Sequence, residues 1–157
     1  MSTRRGIAVF GASLESMAVA ATAADRAGFH SVWTSELMLA SAHEDRAQAR
    51  REAAAMIAFY GSVKSYAGLF DACGFAGEAE AIRAAFAAGD LEAMVGAVSE
   101  AMVDELAVAG TPAEVAEQLR RFDGVVDEVV LSPPTFRVTP ERVAENLATL
   151  IEHCAPA

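Results

Sequence analysis

The chain has 157 residues, 54% of them hydrophobic, with 12 Lys and Arg against 22 Asp and Glu for a formal charge of −10. That length suits one ordinary domain with a substantial core, and the acidic balance excludes nucleic acid and anionic membrane surfaces, because no basic cluster neutralises phosphates. No apolar run approaches the ~18 residues of a membrane span, and the N-terminal apolar stretch is too short for a signal peptide.

The first third sets the pattern. Residues 7–10 form an apolar run between Gly6 and Gly11, which predicts a buried parallel strand. Ser13 suits an N-cap and Gly28 a C′ position, so a helix lies between them, with Leu14, Met17, Ala18, Ala21 and Ala24 on one face. Residues 31–35 read as a second strand. Together they make one βαβ unit.

The middle of the chain reads as helical. Ser41-Ala42-His43-Glu44 has the form of a capping box, and a helix is expected from there to about Tyr60, stopped by Gly61. A second runs from about Ser62 to near Gly74, with Val63, Tyr66, Ala67 and Phe70 at helical spacing. Shorter helices are expected over 78–88, 91–98 after Asp90, and 100–109 after Ser99. Thr111-Pro112-Ala113-Glu114 opens another helix to Phe122 with a second capping box. Residues 128–131 read as a buried strand stopped by Pro133-Pro134. Thr139-Pro140-Glu141 then opens the last helix, with Val143, Leu147, Leu150 and Ile151 expected inward. The census is three strands and about seven helices in a single domain, divided into a βαβ unit (1–40), a helical segment (41–122) and the last strand with its helix (123–157).

Two stretches carry a family resemblance. Ala27-Gly28-Phe29-His30-Ser31-Val32-Trp33-Thr34-Ser35-Glu36 resembles the opening of the luciferase-like oxidoreductases, which use flavin or the deazaflavin coenzyme F420. Gly110-Thr111-Pro112-Ala113-Glu114-Val115, followed by residues 125–134, is similar to the family's last barrel strand and the helix before it. The resemblance implies an α/β fold derived from the eightfold β/α (TIM-like) barrel. That barrel needs about 250 residues, so the chain is a truncated fragment lacking the third to roughly the seventh barrel strands. A small parallel sheet of about three strands is expected, with residues 7–10 in the middle, since the first and last barrel strands are neighbours.

In such a barrel, function sits at the C-terminal ends of the strands. Glu36 is the sharpest candidate there, as a base or a hydrogen-bonding partner, against the plainer reading of a loop carboxylate that caps the next helix. The family often has His or Asp just beyond, where this chain has Leu37. His43 follows the Ser41 cap and is the second catalytic candidate, against a structural or solvated reading. Phe10, Trp33, Ser35, Tyr60, Ser132 and Thr135 are candidates for binding substrate, although aromatics at regular spacing also serve as core. His30, His43 and His153 are too scattered for a metal site. Cys73 and Cys154 give neither metal spacing nor a disulfide framework, so a cytoplasmic setting is expected.

The segments that hold flavin or F420 in the family come largely from the missing middle. No Gly-rich or Arg/Ser-rich stretch replaces a phosphate site, so tight binding of flavin mononucleotide or F420 within one chain is not expected. Three functions follow: an oxidoreductase (reductase or monooxygenase) whose site is shared between subunits, a cofactor-independent enzyme or binding protein for a small apolar or aromatic intermediate, and a non-catalytic partner of a full-length homologue. Three strands leave two sheet edges unpaired, so a homodimer is expected.

Overall fold

The computed structural model describes residues 5–8, 14–33, 38–126 and 128–155. The chain divides into two compact units, Met1–Leu37 and Met38–Ala157.

In the first unit, β1 (Gly6–Ala8) pairs in parallel with β2 (Ser31–Trp33), Ile7 opposite Val32, and α1 (Leu14–Arg26) connects them. Gly28 ends α1 with φ 79°, a left-handed position where glycine has no steric penalty. The βαβ reading of this segment is observed.

The second unit runs β3 (Met38–Ala42), α2 (Arg46–Ser62), α3 (Ala67–Ala72), α4 (Ala76–Ala87), α5 (Leu91–Gly96), α6 (Glu100–Leu106), β4 (Ala107–Gly110), α7 (Pro112–Leu119), β5 (Leu131–Ser132) and α8 (Pro140–Cys154). Its sheet is parallel, in the order β4-β3-β5, with Ala42 opposite Gly110 and Leu39 opposite Ser132. The α/β fold with a small three-stranded parallel sheet is therefore as expected, but of the three expected strands only the last, shortened to β5, belongs to it. The centre is β3 rather than residues 7–10, and β1 pairs only with β2 among the described residues.

The physical reason is composition. Met38-Leu39-Ala40-Ser41-Ala42 and Ala107-Val108-Ala109-Gly110 are rich in alanine, the best helix former, so they read as a helix start and a helix end. They are strands because helices cover both faces, and small side chains let those helices approach. Every residue from Leu39 to Ala42 and from Ala107 to Gly110 is buried. Side chains alternate as the pleat requires: Leu39, Ala107 and Ala109 join a large core with α2 to α6, while Ala40, Ala42 and Val108 join a smaller one with Val115 and Leu150.

Other boundaries shift for similarly local reasons. The cap of α2 is Asp45, whose carboxylate accepts from the Ala47 and Gln48 N–H groups, because Ser41 is inside a strand. Gly61 does not stop α2. It lies against Ile82 of α4, where an added Cβ would stand 2.9 Å from Ile82 Cδ1. The segment expected to form one helix after it begins as a 3-10 turn, Lys64–Tyr66. The strand expected at 128–131 is confined to Leu131–Ser132. In α8 the inward stripe is Arg142, Asn146 and Leu150, whereas Leu147 and Ile151 are 41% and 72% exposed, contrary to their expected inward position.

Candidate functional site

The parallel strands of the second unit bring the ends of β3 and β4 to one side, and His43 follows β3 there. Its backbone N–H donates to the Gly110 carbonyl (3.1 Å), which ties the exits of the two strands together. Its Nδ1 accepts from the Asp45 N–H (2.9 Å). A neutral imidazole held this way carries its proton on Nε2, so His43 offers a hydrogen-bond donor rather than a base.

Among the expected residues described in the second unit, Tyr60, Ser132 and Thr135 are not gathered around it. Phe10, Ser35 and Glu36 lie outside the described residues, and Trp33 ends β2 in the first unit. Ser132 is level with Leu39, three residues short of Ala42 and so about 10 Å below the strand exits. Thr135 donates to Met56 Sδ (3.9 Å), and Tyr60 lies near the C-terminus of α2, about 20 Å along the helix axis from its start. Tyr60 belongs instead to a row of rings. Phe136 and Phe59 are 5.3 Å apart, Phe59 and Tyr60 5.8 Å, and Tyr60 and Tyr66 5.2 Å. Phe59 and Tyr66 are about 40% exposed, so the row forms a half-open aromatic surface. Thr135 and Tyr60 thus share the lower flank of α2, and His43 stands apart at its start.

Polar residues that the sequence did not single out dominate the β3 exit. Glu52 of α2 accepts four hydrogen bonds, from Ser41 Oγ (2.9 Å), Gln48 Nε2 (3.0 Å), Arg142 Nε (2.9 Å) and Arg142 Nη2 (3.1 Å). Arg142 also donates to the Ala42 carbonyl (2.7 Å). The two ionic side chains are only 11% and 12% exposed. With every lone pair engaged, Glu52 is a structural anchor and not a free base. The sequence signal was the i, i+4 placement of Arg142 and Asn146 on the stripe that Leu150 continues.

The helix starts at this end already hold anions. Asp45 caps α2. At α7 the Thr111 N–H donates to Glu114 Oε2 (2.9 Å) while Thr111 Oγ1 accepts from the Glu114 N–H (3.4 Å), completing the expected capping box. Arg46 Nε reaches Glu114 Oε1 at 3.3 Å. The Thr111 N–H holds the Glu114 carboxyl below its ordinary pKa; burial pushes the other way, and Arg46 adds a lesser downward pull. Gly110 leaves room for this: a Cβ there would lie 2.5 Å from Glu114 Oε2. A cofactor phosphate at either helix start would meet a carboxylate already occupying the positive end of the dipole. Among the described residues no group of His, Cys, Asp and Glu is arranged to hold a metal, and no helix is long and apolar enough to cross a membrane.

No curated protein gives a match to the chain. The sequence profile described as luciferase-like monooxygenase matches residues 37–128, which is more than half of the chain and spans β3, the helical excursion, β4 and α7. Members of that family commonly use flavin or F420. The chain belongs to the luciferase-like monooxygenase family.

Proposed function

We propose that this protein is a flavin- or F420-linked reductase or monooxygenase of a small organic molecule, with a cofactor site that two copies of the chain build together. Family membership supports the reaction class. The observation that supports a shared site is the occupation of the α2 and α7 helix starts by Asp45 and Glu114, which denies a cofactor phosphate those two seats at the strand exits. His43, with its Nε2 proton directed by the Asp45 N–H, serves as hydrogen-bond donor to bound substrate or cofactor. The flavin or deazaflavin supplies the redox chemistry when bound. The test is a spectral titration of the purified protein with flavin mononucleotide and with F420, at protein concentrations above and below its association point. Saturable binding confined to the associated protein supports the reading, and absence of binding at every concentration overturns it.

A second reading rests on a different observation, the half-exposed row of Phe136, Phe59, Tyr60 and Tyr66. Such a surface suits a small apolar or aromatic molecule handled without cofactor. Quenching of the tyrosine emission by aromatic ligands, lost in Tyr60→Ala, supports this reading; quenching unchanged in that variant overturns it.

A further inference from the structure

Strand β5 pairs with β3 over two residues, although β3 continues for three more. The register explains the stop. The Met38 N–H donates to the Val130 carbonyl, and the next matching donors on the β5 side are residues 132 and 134. Residue 134 is proline, which has no N–H to give the Ala40 carbonyl. That carbonyl and the Ala42 N–H would otherwise remain unpaired at a buried edge, each carrying the desolvation penalty of an unmet hydrogen bond.

A side chain takes the missing place. Asn146 of α8 donates from Nδ2 to the Ala40 carbonyl (2.9 Å) and accepts on Oδ1 from the Ala42 N–H (2.8 Å). Those are the two bonds that one residue of a parallel strand would make, with the primary amide standing in for a peptide group. Asn146 is 1% exposed. Arg142 takes the carbonyl of Ala42 one step further on. The opposite edge is treated alike. On β4, Gly110 faces β3 through its bond from the His43 N–H, so Ala109 faces outward. Gln118 of α7 accepts from the Ala109 N–H (3.2 Å) and donates to the Ala109 carbonyl (3.3 Å).

We propose that Gln118 and Asn146 are edge seals: side-chain amides that act as the next strand's peptide and close the β3 and β4 edges to strand addition by a second copy of this chain. Unpaired edges template pairing with other chains, and these two edges are covered from within. The inference concerns the sheet edges alone and stands independently of any cofactor site.

The experiment uses the full chain with Gln118→Ala. Mass is followed by light scattering over a concentration series, and exchange of the Ala109 amide is followed by NMR. The expected result is roughly tenfold faster exchange at Ala109, the equivalent of one lost hydrogen bond, together with new, concentration-dependent self-association beyond that of the wild type. Faster exchange with unchanged association overturns the sealing role, and unchanged exchange overturns the pairing itself. Should Gln118→Ala fail to fold, Gln118→Glu keeps the acceptor and loses the donor; association that grows as pH rises through the carboxyl's titration supports the proposal, and association flat with pH overturns it.

Discussion

The two faces of the β4-β3-β5 sheet are stabilised in different ways. On the α2 face, the long excursion between β3 and β4 builds a broad apolar core, with Phe70, Ile82, Met94 and Met102 almost wholly buried around Leu39 and Ala107. On the α7 and α8 face, the apolar cluster is small, Ala40, Ala42, Val108, Val115 and Leu150, and it is bordered by Asn146 at the sheet edge. The Arg142–Glu52 pair joins α8 to α2 around that same edge. One face is held by area and the other also by fixed polar geometry. Where β5 stops short on β3, the polar side supplies the hydrogen bonds that a longer strand would have made.

This contrast can be broken most severely at the ion pair. Arg142→Ala leaves Glu52 buried without its main partner and is expected to cost about 3–5 kcal/mol in urea unfolding, with Glu52→Leu in the same chain recovering much of it. A loss under 1 kcal/mol would show that the polar side contributes little. On the apolar face, Met102→Ala is expected to cost about 2–4 kcal/mol through the cavity it leaves, with no recovery from any polar substitution.

A smaller effect is expected where α2 meets α4. Gly61→Ala places a methyl against Ile82 and should cost about 1–3 kcal/mol, and Ile82→Val should relieve part of that overpacking. Equal stability of Gly61→Ala and the wild type would mean that the glycine does not set this approach.

The sequence made the punctuation legible and left the sheet hidden. Asp90, Ser99, Thr111 and Thr139 all cap helices as read, because a short polar side chain before an apolar periodic run has one common use. The strands β3 and β4 were missed because alanine carries the helix signal, while burial on both faces decides the outcome. Arg142 and Asn146 were missed because a helix stripe is read by its apolar members, and Val143, Leu147 and Ile151 offered a competing one. Of the candidate site, the sequence sets His43 after a helix cap at Ser41, and its place just after a strand was not legible because β3 itself was missed. Tyr60 was selected as an aromatic near a presumed pocket, but α2 runs away from the strand exits and carries the ring with it.

The smallest effect expected is acid sensitivity at the α7 start. The folded-state pKa of Glu114 lies below its unfolded value, so its contribution is present above the unfolded pKa and lost as pH falls through the folded one. Glu114→Gln should therefore flatten the acid limb of a stability–pH curve, and an identical limb in both proteins would remove this carboxylate from the account.

The shared cofactor site is tested most directly by sedimentation velocity of the protein with flavin mononucleotide or F420, detected at the cofactor's visible absorption. The account predicts that cofactor travels only with a species of at least twice the 16.4 kDa chain mass. Cofactor sedimenting in equimolar amount with the 16.4 kDa monomer would contradict it.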